Sequence, residues 1–204
     1  MENKILSHLK IVDHIIYAAA VKVVKVQPLE KLKPLEAKDY FEDLCEAITS
    51  QQLSGKVSDV IFARFKKLYP KVKITAKYTL IIPDEKIRAA GMSNSKVKFI
   101  KDLAEKVESG NLKMENLAEL SDEQVTEELM KVKGIGTWTA EMFLMFGLAR
   151  EDIFSHGDLG LRRAIQKLYG LKKEPTERQT ARISKKWSPF KTYACMILWR
   201  SLDL

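Results

Sequence analysis

The chain has 204 residues, 46% of them hydrophobic and 30% charged. That balance fits a water-soluble globular protein with a real core and excludes a disordered or low-complexity chain. The net charge of +8 favours a polyanionic partner without naming one, and two lone cysteines, Cys45 and Cys195, supply neither a disulfide framework nor a cysteine-ligated metal site. Both are expected to be small buried residues of a protein in a reducing compartment.

In chain order, apolar residues recur at spacings of three and four almost throughout, the period of helices facing a core. The stretch from Ile15 to Val21 is apolar but short and bracketed by Asp13 and Lys22. It reads neither as a secretory signal nor as a span, which needs ~18 apolar residues, so a soluble intracellular protein is expected. Ser7 to Val26 is predicted as one helix facing the core through Leu9, Ile16, Ala20 and Val23, followed by a linker with Pro28 and Pro34. Ala37 to Ser54 is predicted as the next helix, with Phe41, Leu44, Ile48 and Leu53 on one face. Gly55 to Tyr69 follows, carrying Val57, Ile61, Phe65 and Leu68. Pro70 to Pro83 has β-branched residues that suit a short extended piece, without a strand to pair with. Helices are predicted over Asp84 to Ala90 and Ser95 to Glu108. Ser121 with Gln124, and Thr176 with Gln179, have the spacing of capping boxes that open helices. Ser188-Pro189 is expected to start the last helix, because proline at a first helical position loses no hydrogen bond. The fold class is therefore all-α.

Two stretches suggest chemistry. The first is Lys131-Val132-Lys133-Gly134-Ile135-Gly136-Thr137-Trp138-Thr139-Ala140, a helix running into Gly-Ile-Gly with a second helix leaving it. Glycines at 134 and 136 allow a tight turn, Ile135 can plug the core, and the next helix start presents N–H groups. Such a start takes a DNA phosphate without reading bases, with Lys131 and Lys133 adding charge. On its own the same pattern also fits an ordinary helical hairpin.

The second is Phe154-Ser155-His156-Gly157-Asp158-Leu159-Gly160, before a helical pattern that runs to Tyr169. Asp158 suits an N-cap, and a capping carboxylate stays ionised beside helix N–H groups. A fixed carboxylate also suits N-glycosidic cleavage, in which positive charge builds on the sugar as the base departs. Both roles are open, and they are compatible. His156 is expected to be an exposed loop histidine.

With Ala47-Ile48-Thr49-Ser50-Gln51-Gln52-Leu53-Ser54, Gly91-Met92-Ser93, Glu141-Met142 and Trp187-Ser188-Pro189-Phe190-Lys191-Thr192-Tyr193-Ala194, these stretches resemble the helix-hairpin-helix (HhH-GPD) DNA glycosylase superfamily, and within it the DNA-3-methyladenine glycosylase II-like branch. The resemblance runs in the family's order from about Ala37 to the end. It implies a two-lobed helical fold, lobe one over about 37–150 with the hairpin at 121–148 and lobe two from 1–36 with 151–204, the active site lying in the cleft between them. It implies Asp158 as the catalytic carboxylate and Lys133, Gly134, Ile135, Gly136 and Thr137 as the phosphate-binding hairpin, with a Na+ or K+ ion on hairpin carbonyls. It implies Gln52 or Leu53 as the wedge that fills the gap left by a flipped nucleotide. Gln52 is the preferred choice, against a plain polar helix end, and Leu53 is expected in the core.

Trp138 stands where relatives that also cut the backbone carry an attacking lysine; an indole forms no Schiff base, so a monofunctional enzyme is expected. Trp138 is assigned to stack on the flipped base, with Tyr40 and Phe41 as further pocket aromatics; for all three, and for Tyr193, a core position is the alternative. Trp187 and Trp199 read as core. The four-cysteine iron–sulfur loop of the endonuclease III and adenine-glycosylase branches is missing, and the extra N-terminal α+β domain of the longer alkylpurine enzymes is not expected. The implied partner is damaged double-stranded DNA, bound by a monomer with help from Lys56 and Arg163, with no membrane and no obligate protein partner; in a prokaryote the location is the nucleoid. A non-catalytic DNA-binding module, or a glycosylase for oxidised or deaminated bases, are the alternatives.

Overall fold

The computed structural model describes residues 1–69 and 73–204. Among these, the regular structure is all helical. In chain order the α-helices are α1 (Glu2–Val12), α2 (His14–Val26), α3 (Tyr40–Ser50), α4 (Gly55–Lys66), α5 (Ala76–Ile81), α6 (Asp84–Ala89), α7 (Asn94–Glu108), α8 (Asp122–Met130), α9 (Thr137–Met142), α10 (Leu159–Tyr169), α11 (Glu177–Ser184) and α12 (Lys191–Ser201). The chain divides into two compact units, Met1–Lys33 with Ala149–Leu204, and Pro34–Leu148. No described helix is long and apolar enough to cross a membrane.

In the unit built from both ends of the chain, the single helix expected over Ser7 to Val26 is two. Asp13 breaks it with extended backbone at φ −161° and ψ 94°. Its Oδ1 caps α2 by accepting the Ile15 N–H at 3.1 Å. Its Oδ2 accepts from the Trp187 indole at 2.9 Å, from Lys186 at 3.0 Å and from the Tyr169 hydroxyl. Burial alone would raise this carboxyl; the hydrogen bonds from Tyr169, Trp187 and Lys186, with the Lys186 charge, outweigh it and hold the group below the usual carboxylate range. The apolar period runs unbroken through Asp13, so the break has no local apolar signal. Leu9, Ile16, Ala20 and Val23 are buried as expected, and α2 packs on α12, which packs on α10.

The last helix starts at Lys191, not at Ser188-Pro189. The Phe190 N–H closes a turn onto the Trp187 carbonyl at 2.8 Å, and Ser188 Oγ donates to Asp152 at 2.5 Å, which holds the Ser-Pro pair outside the helix. Tyr193 is buried, its hydroxyl donating to Glu151 at 3.1 Å and accepting from the Leu32 N–H at 3.2 Å.

In the central unit, α3 ends at Ser50, earlier than the expected Ser54. Phe41, Leu44 and Ile48 are buried, but Leu53 lies beyond the helix and is 38% exposed, so it is not core. The start of α4 at Gly55 turns Ser58, Phe62 and Phe65 inward, and Val57 faces out. The expected extended piece over Pro70 to Pro83 is instead α5 from residue 76, capped by Thr75; residues 70–72 lie outside the described residues. Helix α7 supports it: Lys101 Nζ donates to the carbonyls of Thr79, Leu80 and Ile82 at 2.9, 3.0 and 2.6 Å, satisfying the orphan C-terminal acceptors of α5. Both expected capping boxes form, at Ser121 and Thr176.

Candidate functional site

In the central unit, α8 runs into the glycine turn and α9 leaves it, continuing as a π-helical turn over Phe143–Gly147. The two glycines do different work. Gly134 sits at φ +84°, and a Cβ there would lie 2.1 Å from the Phe99 ring, so the position excludes other residues twice over. Gly136 has ordinary extended backbone at φ −102°, and a Cβ there meets nothing within 4 Å. Positive φ is therefore needed at one glycine, not both. Ile135 is buried between them, as expected, while Gly136, Thr137 and Trp138 are exposed at the start of α9. This first turn aims N–H groups at solvent and suits an anion.

The lysines beside the turn are partly spoken for. Lys131 pairs with Glu128 at 2.6 Å. The Lys133 backbone N–H donates to Asp102 Oδ2 at 2.8 Å, and its ammonium lies 3.4 Å from Oδ1. Asp102 is buried, which alone would raise its carboxyl; Lys106 at 2.6 Å and the Lys133 N–H outweigh this and hold it low. Asp102 thus anchors the hairpin backbone as an ionised acceptor.

The turn after α3 abuts this hairpin. Gln52 is exposed and held at φ +57°, a left-handed conformation uncommon for a non-glycine residue. Two neighbours fix it. Gln51 Nε2 donates to the Gly134 carbonyl at 2.8 Å and to Thr139 Oγ1 at 3.3 Å. Lys96 Nζ donates to the carbonyls of Thr49 and Gln51, both at 2.7 Å. Neither residue stands out in the sequence, because each acts on backbone far away in the chain. Trp138 is 44% exposed, which removes the core alternative for it. Tyr40 and Phe41 take theirs: both lie on the buried face of α3, Tyr40 edge-on to Phe143 at 5.1 Å.

In the other unit, Asp158 is 9% exposed and caps α10, its Oδ1 accepting the Leu161 N–H at 2.7 Å. The same oxygen accepts the Trp199 indole N–H at 3.1 Å. Trp199 is partly exposed and touches the aspartate, so it is not a plain core residue; sequence reasoning missed it, and the only signal was the need of an indole N–H for an acceptor. Gly160 makes room for the pair, since a Cβ there would lie 3.1 Å from Asp158 Oδ1 and 3.2 Å from Trp199 Cδ1. Leu159, beside Asp158, is 55% exposed. His156 is half-buried rather than exposed: Nδ1 meets Thr180 Oγ1 at 3.1 Å and the ring packs on Phe154. Burial, and then the Lys191 charge, lower its pKa and favour the neutral ring. Trp187 is fully buried, as expected. Lys56 and Arg163 are exposed, and Cys45 and Cys195 are buried.

Residues 45–190 match the family model described as HhH-GPD superfamily base excision DNA repair protein. The chain is 36% identical over 174 residues to DNA-3-methyladenine glycosylase 1 of Schizosaccharomyces pombe, covering 84% of this chain and 76% of that one. The structure is similar to the solved structure of a Schizosaccharomyces pombe 3-methyladenine DNA glycosylase in complex with abasic DNA, with a TM-score of 0.86 and 34% identity over 98% of this chain and 97% of that one. It is also similar to a DNA-3-methyladenine glycosidase of Bacillus halodurans, with a TM-score of 0.78 and 32% identity over 95% and 88% of the two chains.

Proposed function

This chain belongs to the HhH-GPD superfamily of base excision DNA repair proteins, and we propose that it is a monofunctional DNA glycosylase that hydrolyses alkylated purines, of the 3-methyladenine type, out of duplex DNA. The observation that carries the reading is the Asp158 carboxylate, buried and held at the start of α10 by two N–H donors, in a chain more than a third identical to an enzyme named for this reaction.

The chemistry needs little more than such a group. Alkylation at N3 or N7 of a purine gives the base a formal positive charge and weakens its bond to the sugar. The base leaves with the bonding electrons and needs no proton from the protein. Positive charge gathers on the sugar in the transition state, and the fixed anion of Asp158 stabilises it. The same carboxylate orients the water that adds to the sugar and takes its proton. The products are the free base and an abasic site. Position 138 holds an indole, not an amine, so no Schiff base forms there and the backbone stays intact.

Binding follows from the hairpin. Gly134 to Thr137 hold a phosphate through N–H groups at the start of α9, reading no sequence. Gln52, fixed at φ +57° on its braced turn, fills the place of the extruded nucleotide, with Leu53 beside it. The exposed Trp138 stacks on the base, where a cationic purine adds a cation–π attraction of ~0.5–2 kcal/mol. An alkali-metal ion fits the turn by its donor chemistry: the carbonyls of Val132 and Gly134 are hard oxygen donors that each accept an N–H and keep a second lone pair. Two cysteines cannot ligate an iron–sulfur cluster alone, and none is part of this reading. The protein acts inside the cell as a monomer on damaged DNA and needs no protein partner.

The test is to incubate wild type and Asp158→Asn with methylated duplex DNA and to chromatograph the released bases. Wild type is expected to release methylpurines, and the variant to bind DNA yet release none. Tight binding without release by wild type moves the reading to a DNA-binding module, and release of 8-oxoguanine alone moves it to another lesion.

A further inference from the structure

We propose that Trp199 is the positioning residue of the Asp158 carboxylate: its indole N–H, acting with the Leu161 N–H on the same oxygen, sets the plane of the carboxylate for catalysis. This inference rests on the glycosylase reading.

An aspartate carboxylate has one torsion left once its Cγ is placed, and rotation about it swings both oxygens. The cap bond from Leu161 at 2.7 Å restrains Oδ1 from the side of the α10 backbone. Trp199 supplies a second donor to Oδ1 at 3.1 Å, from a helix 41 residues further along the chain. Two donors converging on one oxygen from different elements fix the carboxylate plane, and with it the direction of the second oxygen.

The surrounding residues are shaped for this bond. Gly160 stands where any side chain would crowd both partners, at 3.1 Å from Oδ1 and at 3.2 and 3.3 Å from Trp199 Cδ1 and Nε1. Its φ lies outside the positive range, so the backbone itself does not call for glycine there; what needs it is the approach of the indole to the aspartate. The helix that carries Trp199 is anchored, because Ile197 and Leu198 on α12 are fully buried and α12 packs on α10. A donor so fixed needs no reorganisation when charge develops on the sugar. A neutral donor also leaves the negative charge of Asp158 in place, where a lysine or arginine would cancel part of it.

The experiment deletes the donor and keeps the ring. Tryptophan 199 is replaced by benzothienylalanine, whose sulfur takes the place of the indole N–H, and by phenylalanine in Trp199→Phe. Single-turnover release of methylpurine, affinity for abasic-site duplex and Tm are measured for each, with wild type and Asp158→Asn beside them. Loss of one hydrogen bond to a charged group predicts a release rate roughly 10–100-fold lower, with DNA affinity unchanged and, for the sulfur analogue, the protein still folded with only a modest fall in Tm. Gly160→Ala is expected to lower the rate in the same direction, also without loss of affinity. Release by the sulfur analogue within threefold of wild type would overturn the proposal, as would a fall in rate matched by an equal fall in DNA affinity. If wild type itself releases no base, the glycosylase reading fails instead, and this inference with it.

Discussion

The Gln51 side-chain amide donates to the Gly134 carbonyl at 2.8 Å, tying the turn that carries Gln52 to the glycine hairpin between α8 and α9. The bond links residues 83 apart in the chain. Replacing Gln51 with leucine removes this donor and the weaker one to Thr139. Gln51→Leu is expected to lower Tm modestly, by the equivalent of about 1 kcal/mol, since the turn is at the surface and Lys96 still holds its backbone. Its larger effect is on DNA, where a loosened Gln52 should weaken binding to a lesion duplex more than to undamaged duplex. Fluorescence anisotropy on both duplexes checks this; an equal loss on the two would separate Gln51 from the wedge.

The two hairpin glycines make opposite predictions. Gly134→Ala forces a Cβ into the Phe99 ring and a strained φ at +84°, so a loss of about 2–4 kcal/mol is expected, read as a fall in Tm. Gly136→Ala meets open space and should leave Tm nearly unchanged. It should nevertheless weaken DNA binding, because its methyl group stands where a phosphate would approach the start of α9. Calorimetry and anisotropy on the same two proteins settle it, and equal Tm losses would be inconsistent with the geometry.

What was legible in the sequence and what was not divides by distance along the chain. The capping boxes at Ser121 and Thr176 formed because donor and acceptor lie three residues apart, and the spacing alone specifies the bond. Asp158 was legible as a cap, and the hairpin as a turn, for the same local reason. The break at Asp13 was not, because the groups that stabilise a buried carboxylate there are Tyr169, Lys186 and Trp187, far along the chain. Helix α5 has no local C-cap signal, because its C-terminus is satisfied by Lys101 rather than by its own cap. Trp199 and Lys96 have roles only through partners that no period or spacing indicates. The helical period, extended past Ser50, puts Leu53 in the core, but the helix stops at Ser50.

The exposure of the tryptophans gives a third prediction. Trp138 is 44% exposed and Trp187 fully buried. Trp138→Ala is expected to cost less than about 1 kcal/mol in stability while lowering release of methylpurine. Trp187→Ala should cost about 3–5 kcal/mol, both for the cavity and for the lost donor to Asp13. Denaturant unfolding of the two variants distinguishes them; a large stability loss at Trp138 would assign it to the core.

Asp43 makes a prediction about pH. It lies in the first turn of α3, where burial, with the nearby Glu46 charge adding, pushes its carboxyl up to about 6. The usual value for an unfolded aspartate is about 4. An acid with a raised folded pKa binds its proton more tightly in the folded state. Its contribution to stability is therefore complete below about pH 4, and is lost as the pH rises through about 6. Asparagine resembles the protonated form and does not titrate. Asp43→Asn should therefore change stability little at pH 4 and raise it at pH 7.5, by at most about 3 kcal/mol and less in practice, since the start of a helix favours a carboxylate. Tm of both proteins at the two pH values checks this. A gain of the same size at pH 4 and 7.5 would mean that ionisation of Asp43 is not what burial penalises.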